Sequence, residues 1–311
     1  MTKQKRPAIK TQGLTKYYGQ TRGIEDLDLT VEQGEIFGFL GPNGAGKSTT
    51  INLLMGFRNP TDGKALVLGR PVGPGAAELR RRIGFMPGEL SLYGNMKAHA
   101  LLDYFAALRG GAAKNGETGG VEDGYIHELA ERFRLDLGKK VKDLSKGNKQ
   151  KVALVAAWMH KPDLLILDEP TSGLDPIVQE EFHDLVHEAK RRGATVFLSS
   201  HVLSEAEHLC ERVGVVKEGR LIAVERIADL HARGIRHVEV QFATKPWKDM
   251  LDRVEGIRNV RVDGKTMRFT VHGSIDKVIK LLARHRIVNL SSEPASLEEF
   301  FFDEYGEEVE S

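Results

Sequence analysis

The stretch of sequence that decides the fold is Gly41-Pro-Asn-Gly-Ala-Gly-Lys-Ser48, which fits the pattern G-x-x-x-x-G-K-[ST]. It follows the apolar run Glu35–Leu40, which predicts a short buried strand, and it precedes apolar residues at helical spacing. Glycines let successive backbone N–H groups turn inward around a phosphate, and the helix N-terminus adds positive potential. The sequence therefore predicts a phosphate-binding loop with the binding residues Gly41, Pro42, Asn43, Gly44, Ala45, Gly46, Lys47, Ser48 and Thr49.

Two side chains at the end of this loop suit a nucleoside triphosphate. Lys47 supplies a point charge for the β- and γ-phosphates, and Ser48 offers its hydroxyl group to Mg²⁺. The loop by itself indicates nucleotide binding and leaves the use of the nucleotide open.

A second motif is the buried-strand pattern Leu164-Leu-Ile-Leu-Asp168, which ends in a carboxylate and is followed directly by Glu169. Asp168 can hold Mg²⁺ through its water shell, whereas Glu169 can polarise the water that attacks the γ-phosphate. Two strand-end acids at a turn would be the alternative explanation. The phosphate-binding loop earlier in the chain favours the explanation in which Asp168 holds Mg²⁺ and Glu169 polarises water.

The order of predicted elements indicates an α/β fold. Strand patterns near Leu164–Leu167 and Ala194–Leu198 alternate with helices, which implies a parallel sheet covered on both faces. Between about residues 88 and 159 the pattern changes to helix and loop, with an insertion at Gly110–Gly120. The helix between the two strands has the spacing of a core-facing surface at Val178, Phe182, Leu185 and Val186.

Residues 229–311 form a second predicted domain, after a first domain of residues 1–228. Apolar periodicity gives the order β-α-β-β-α-β of the ferredoxin-like arrangement, with a hairpin at Asp263-Gly264. Ser296 and Glu299 form a capping box that predicts a terminal helix. The first helix of this domain is predicted from Trp247, Leu251 and Val254.

The bulk properties of the 311 residues exclude several classes of function. The formal net charge is +1, so no strong field attracts nucleic acid, and we expect no nucleic-acid partner. The single cysteine, Cys210, fits a reducing compartment. The apolar runs are shorter than the ~20 residues of a spanning helix, so any membrane role requires a partner.

A further motif, Asp143-Leu-Ser-Lys-Gly-Asn148, gives the chain a specific resemblance. Together with four other motifs in order, it makes about residues 8–228 resemble the nucleotide-binding domain of ABC transporters. The resemblance implies a P-loop ABC ATPase core, with a RecA-like parallel sheet, an antiparallel β subdomain and a helical subdomain. The ferredoxin-like α+β domain predicted from the apolar pattern follows this core. The other motifs are Gly41–Ser48, Leu164–Glu169, Ser172–Asp175 and His201.

The resemblance also implies roles for individual residues. Ser145 and Gly147 match the serine and second glycine that close over the γ-phosphate of ATP bound to a second subunit, and Asp175 would lie at that dimer seam. Lys146 and Asn148 depart from the family pattern, so we expect an altered affinity for the phosphate rather than a loss of function.

Two further positions follow from the same resemblance. His201 matches the switch histidine that contacts the γ-phosphate and the attacking water, so Glu169, His201 and Lys47 are the expected catalytic residues. Tyr18 matches the aromatic residue that stacks on adenine, with Tyr17 as a rival.

The match fails at one position. Gly88 stands where the family has a glutamine that ligates Mg²⁺, and Glu89 follows it. Either a water molecule completes the metal shell or Glu89 takes part in it. The segment after it, Leu90–Leu102, is the predicted docking surface for a multi-span membrane permease.

The predicted function is an ATPase that binds ATP and Mg²⁺ and powers a transporter from the cytoplasmic side of the cell membrane. Because Glu169 and His201 are both retained, a homodimer with two active sites is expected. The variant signature and the small C-terminal domain resemble exporters of drugs, lipids or other small molecules. The alternative is a non-transport ABC ATPase that acts on ribosomes or in repair. Residues 229–311 would be a dimer-stabilising tail or, less favoured, a ligand sensor.

Overall fold

The computed structural model describes residues 7–73, 76–109, 117–118, 121–232, 235–251 and 254–294. The chain divides into two compact units, residues 1–224 and 225–311. The strands are β1 (Pro7–Tyr18), β2 (Thr21–Leu27), β3 (Thr30–Glu32), β4 (Ile36–Leu40), β5 (Asp62–Val67), β6 (Arg70–Pro71), β7 (Ile83–Met86), β8 (Glu117–Thr118), β9 (Val121–Glu122), β10 (Leu164–Asp168), β11 (Thr195–Ser200), β12 (Arg212–Lys217), β13 (Arg220–Arg226), β14 (Ile235–Phe242), β15 (Ile257–Asp263), β16 (Thr266–His272) and β17 (Ile287–Pro294).

Strands and helices alternate from β10 to β12, as the sequence predicts for that region. The helices are α1 (Lys47–Leu54), α2 (Ala77–Arg81), α3 (Ala98–Leu108), α4 (Asp123–Arg132), α5 (Lys146–Trp158), α6 (Pro176–Arg191), α7 (Leu203–Leu209), α8 (Ile227–Ala232) and α9 (Asp276–Leu282), with 3₁₀ turns at Val141–Asp143 and Lys248–Leu251. Among the described helices, none combines the length and the hydropathy that a membrane span requires.

The first unit is built around a six-stranded sheet in the order β13-β12-β4-β11-β10-β7. Strands β12, β4, β11, β10 and β7 pair in parallel, and every residue of β4, β10 and β11 is buried. Burial on both faces explains why these strands are continuous apolar runs rather than alternating ones. The predicted parallel sheet and the predicted buried face of α6 are confirmed.

A second, antiparallel sheet runs in the order β2-β1-β5-β6, with β3 paired to β1. Its apolar side chains share one core with α1 and the neighbouring face of the parallel sheet. Helices α3, α4 and α5 form the helical part of the unit. This combination of parallel sheet, antiparallel sheet and helices confirms the predicted α/β class.

The second unit is a four-stranded sheet in the order β15-β16-β14-β17, with every neighbouring pair antiparallel. Helix α9 packs on the apolar face of that sheet. The predicted first helix is wrong in extent, because the described part of it is only the 3₁₀ turn Lys248–Leu251. Trp247 follows a proline and lies before that turn, so its side chain is 78% exposed rather than part of a core face. The predicted terminal helix from Ser296 and most of the insertion at 110–120 lie outside the described residues.

Packing of β7 against α5 gives a prediction about stability. A Cβ atom on Gly84 would lie 2.2 Å from the carbonyl oxygen of Ala157, so Gly84→Ala is expected to lower the free energy of unfolding by about 3 kcal/mol. Gly124 in α4 has no atom within 4 Å of its Cβ position, so Gly124→Ala is the matched control and should stabilise by about 0.5–1 kcal/mol. Denaturant unfolding followed by circular dichroism measures both, and an unchanged midpoint for Gly84→Ala would contradict the packing argument.

Candidate functional site

The phosphate-binding loop connects β4 to α1, as the sequence predicts. Gly44 and Gly46 have φ angles of 84° and 102°, in the left-handed region that favours glycine. A Cβ atom on Gly46 would also lie 2.6 Å from Cγ2 of Ile24 and 2.7 Å from the carbonyl oxygen of Gly23. Glycine is therefore required at this position both by the backbone conformation and by the available space.

Lys47, the first residue of α1, holds its ammonium group over the loop. Its side chain is only 6% exposed, and Nζ donates hydrogen bonds to the carbonyl oxygens of Gly41 (2.6 Å) and Pro42 (3.2 Å). Nζ also lies 3.3 Å from Oε1 of Glu169. The loop thus fixes a buried positive charge beside the backbone that would hold phosphates.

The carboxyl ends of β10 and β11 meet at this loop because the two strands pair in parallel. Asp168 pairs with Ser199 in the register, and the Ser199 hydroxyl donates to Oδ1 of Asp168 at 2.5 Å. A Cβ atom on Gly88 would lie 3.2 Å from Oδ2 of the same carboxylate. The position where the family has its glutamine therefore lies against Asp168, and the glycine leaves that side of the carboxylate open.

Glu169 adopts a φ of 50°, which is rare for a residue with a side chain and is typical of functional sites. Its backbone N–H donates to the carbonyl oxygen and the hydroxyl group of Ser199 at 3.3 and 3.1 Å. On its side chain, Oε2 lies 2.6 Å from Nδ1 of His201, while Oε1 faces Lys47 without a hydrogen bond. Because an ionised carboxylate can only accept, the imidazole N–H is the donor of the short contact.

These groups surround one cleft of about 820 Å³. Gly41 and Ala45 belong to the loop, but they are buried and do not line the cleft. The carbonyl oxygen of Gly41 nevertheless accepts a hydrogen bond from Lys47. Gly88 and Glu89 also line the cleft. The predicted residues that line the cleft are Tyr18, Pro42, Asn43, Gly44, Gly46, Lys47, Ser48, Thr49, Asp168, Glu169 and His201.

The choice between the two tyrosines is visible in their contacts. Tyr17 donates its hydroxyl group to Oε1 of Glu25 at 2.8 Å, and this hydrogen bond raises the pKa of Tyr17. Tyr18 is 45% exposed and lines the cleft. Tyr17 is thus engaged in packing the antiparallel sheet, and Tyr18 is the tyrosine available to a bound ligand.

The predicted signature residues lie outside this cleft. Ser145 caps α5 by accepting a hydrogen bond from the backbone N–H of Asn148 at 3.3 Å. Gly147 packs so closely that a Cβ atom would lie 2.7 Å from the carbonyl oxygen of Gly173. The exposed serine and the N–H groups of this helix N-terminus could bind an anion.

Asp175 caps the next helix, α6. Its Oδ1 accepts from the backbone N–H of Val178 at 3.1 Å, which lowers the pKa of Asp175, and Oδ2 lies 3.7 Å from Nζ of Lys151. It does not line the cleft either.

Two functional contacts were missed from sequence. Nε2 of Gln150, in α5, donates to the backbone carbonyl oxygens of Glu169 (3.0 Å) and Pro170 (3.3 Å), which ties α5 to the backbone that follows β10. Ser199, which holds both Asp168 and Glu169, is the other. Its position at the end of a predicted strand was a usable signal, whereas nothing local singles out Gln150.

Comparison with known proteins agrees with this geometry. The family described as ABC transporter matches residues 24–172. The chain is 36% identical over 301 residues to the bacitracin transport ATP-binding protein BcrA of Bacillus licheniformis, covering 94% of this chain and 95% of that protein. It is 39% identical over 229 residues to the probable multidrug ABC transporter ATP-binding protein YbhF of Escherichia coli, covering 72% of this chain and 38% of that protein. A solved structure of an ATP-binding subunit of an ABC transporter aligns with a TM-score of 0.64 and 30% identity over 72% of this chain and 92% of its own.

Proposed function

The chain belongs to the ATP-binding subunits of ABC transporters, and on this premise we propose that it powers the export of a drug, lipid or other small molecule through a separate permease. The observation that carries the proposal is the convergence of Lys47, Asp168, Glu169 and His201 on one cleft. The relatives described as bacitracin and multidrug transport proteins support an exporter. Neither relative is described as a ribosome or repair factor.

Binding of ATP begins with groups that already face the cleft. The adenine ring stacks on Tyr18, and the phosphates lie over the loop, where the N–H groups and the α1 N-terminus face them. Lys47 then exchanges the carbonyl oxygens of Gly41 and Pro42 for phosphate oxygens, which carry more negative charge.

Hydrolysis uses the carboxylate of Glu169 as the acceptor of a proton from water. The water oxygen attacks the γ-phosphorus, the bond to the β-phosphate oxygen breaks, and ADP leaves with that electron pair. His201 donates to Oε2 of Glu169, so it holds the carboxylate in position and keeps its own ring at the γ-phosphate end of the cleft. ATP hydrolysis is the reaction of this family, and the roles of these two residues are our proposal.

The residues at the cleft also fit Mg²⁺. Asp168 is 5% exposed, with one oxygen bound by Ser199 and the other facing the open space beside Gly88. Ser48 adds a hydroxyl oxygen, so the donors are the oxygen ligands that Mg²⁺ prefers. Mg²⁺ bound by Ser48 and Asp168 would neutralise charge on the phosphates.

Glu89 gives this proposal a test. Because Glu89 lines the cleft beside Gly88, we expect Glu89→Ala to raise the Mg²⁺ concentration for half-maximal hydrolysis about tenfold. Glu78→Ala, an exposed residue of α2, is the control. Binding of Mn²⁺ to the ATP-bound protein, followed by electron paramagnetic resonance, gives a readout other than turnover. An unchanged Mg²⁺ dependence would mean that water, rather than Glu89, fills the Mg²⁺ coordination position that the family's glutamine occupies.

Subunits of this family dimerise, and we infer a homodimer in which Ser145 and Gly147 of one chain meet the phosphates of ATP held by the other. Their position outside the cleft of their own chain supports this arrangement. The catalytic residues are complete in this sequence, so each of two identical chains could hydrolyse ATP. Residues 229–311 would then stabilise the dimer.

Family members work with membrane permeases, and a groove of about 510 Å³ supports a docking site on this chain. Leu90 and Leu92 line the groove with Phe57, Phe85 and Leu108. The predicted segment Leu90–Leu102 is too long, because Leu101 and Leu102 are buried in α3 and cannot contact a partner. Docking at this groove would hold the chain on the cytoplasmic face of the membrane.

A pull-down of the tagged chain from its own membranes in mild detergent tests the transporter proposal. We expect a multi-span membrane protein in near-equal amount, and we expect Phe57→Asp, at a side chain 48% exposed in the groove, to lose it. Val288→Asp, at an exposed position of β17, is the matched control. Recovery of ribosomal or other soluble partners without a permease would overturn the proposal and leave the ATPase standing.

A further inference from the structure

Helices α3 and α4 bring together a cluster of side chains that can bind a metal and that do not line the nucleotide cleft. His99 is in the first turn of α3, and Asp123 and His127 lie one turn apart at the start of α4. One ligand atom from each of the three lies within 4.8 Å of the others. Tetrahedral Zn²⁺ with bonds of about 2.0 Å needs ligand atoms about 3.3 Å apart, so small side-chain rotations would suffice.

His99 is oriented as metal-binding histidines usually are. Its Nδ1 lies 3.0 Å from Oδ2 of Asp103, one turn further along α3, which is within ion-pair distance. Nε2, on the other side of the ring, lies 3.6 Å from Oδ1 of Asp123. A carboxylate behind the coordinating imidazole fixes its tautomer and raises its basicity.

His127 completes the group from the other helix. Its Nδ1 lies 3.1 Å from the backbone carbonyl oxygen of Asp123 and 3.7 Å from Oδ1 of that residue. Because the carbonyl can only accept, this contact places a proton on Nδ1, and a metal bound through Nδ1 would displace that proton. The ring centroids of His99 and His127 lie 5.5 Å apart, and one nitrogen of each ring lies within 3.7 Å of Oδ1 of Asp123.

Ion pairing alone is a weak reason for this arrangement. The side chains of His99, Asp123 and His127 are 41%, 62% and 57% exposed, and exposed ion pairs contribute little to stability. A bound cation, in contrast, uses both lone pairs and the carboxylate at once.

We propose that His99, Asp123 and His127 form a site for a divalent transition metal, with Zn²⁺ as the best match, which joins α3 to α4. Two imidazole nitrogens and one carboxylate oxygen are ligands that suit Zn²⁺ rather than Mg²⁺ or Ca²⁺. Water takes the fourth position, because the group is open to solvent. Asp103 acts as a positioning residue behind His99. The site is independent of the proposed transport function.

Metal titration of the full chain, stripped of metal and free of nucleotide, tests the site. We expect Zn²⁺ to bind in calorimetry with one saturable site per chain, and Co²⁺ to give the visible absorption of a tetrahedral complex. His127→Ala should weaken the affinity by about tenfold or more, and Asp103→Asn should weaken it by a smaller factor. His187→Ala, on α6, is the matched control because it removes a histidine outside the cluster.

Thermal unfolding gives an independent readout that also checks folding. Without metal, His127→Ala should melt like the wild type, because the side chain it removes is largely exposed. Zn²⁺ should raise the melting temperature of the wild type and of His187→Ala but not of His127→Ala, and EDTA should reverse the shift. Equal Zn²⁺ affinity in the wild type and His127→Ala, or no saturable binding, would overturn the proposal.

Discussion

Replacing Glu169 with glutamine is expected to lower the rate of ATP hydrolysis by about 100-fold or more while ATP still binds. Glutamine keeps the size of the side chain and can still accept the hydrogen bond from His201, so the cleft should keep its shape. It cannot take the proton of the attacking water. The substitution also removes the negative charge of Glu169, whose Oε1 lies 3.3 Å from Nζ of Lys47. The variant should therefore bind ATP at least as tightly as the wild type does. Phosphate release and nucleotide binding, measured side by side, separate the two effects.

The same variant tests the dimer proposal, because ATP that is bound and not hydrolysed should keep two chains together. Size-exclusion chromatography with ATP and Mg²⁺ should show a stable dimer for Glu169→Gln and a shorter-lived one for the wild type. Glu180→Gln, an exposed residue of α6, is the matched control and should behave as the wild type. Turnover of Glu169→Gln within a few-fold of the wild type would mean that another group accepts the proton.

Replacing Lys47 is expected to reduce ATP affinity by about 100-fold or more, since charge-assisted hydrogen bonds contribute about 1.5–3 kcal/mol each. The Lys47 ammonium group is nearly fully buried and is already held at the loop by two backbone carbonyl oxygens. Its loss would also leave Oε1 of Glu169 without its cation. A fluorescent ATP analogue in an equilibrium titration measures the change.

Two variants keep the Lys47 result interpretable. Lys47→Met retains most of the side-chain volume and should lose ATP affinity as Lys47→Ala does, which separates the charge from a packing defect. Lys277→Ala, at an exposed position of α9, should leave the affinity unchanged. If Lys47→Met bound ATP as the wild type does, the loop backbone alone would account for phosphate binding.

The parts of the site that could be predicted from sequence are those in which a few consecutive residues carry the chemistry. The phosphate-binding loop needs glycines, a lysine and a serine in order, between a strand and a helix, so the pattern is readable along the chain. Asp168 ends a buried strand and Glu169 follows it, and the carboxyl ends of parallel strands are where α/β folds bind ligands.

Other features depended on contacts between distant segments. The hydrogen bonds of Gln150 to the backbone around Glu169 join a helix to a strand end, and no local sequence pattern predicts them. The partial error in the docking segment has the same origin, because apolar residues look alike in sequence whether they face a partner or the core. Burial of Leu101 and Leu102 decides between these two cases.

The sequence by itself determined the class of fold, the phosphate-binding loop and the pair of carboxylates, because hydrophobic periodicity and glycine placement act over short stretches. The tertiary structure decided that Tyr18 rather than Tyr17 is free to meet a ligand, and that Gly88 lies against Asp168. It also decided that His99, Asp123 and His127 form one cluster. Each of these depends on how helices and strands pack against one another, and packing distances are fixed only when the whole core forms.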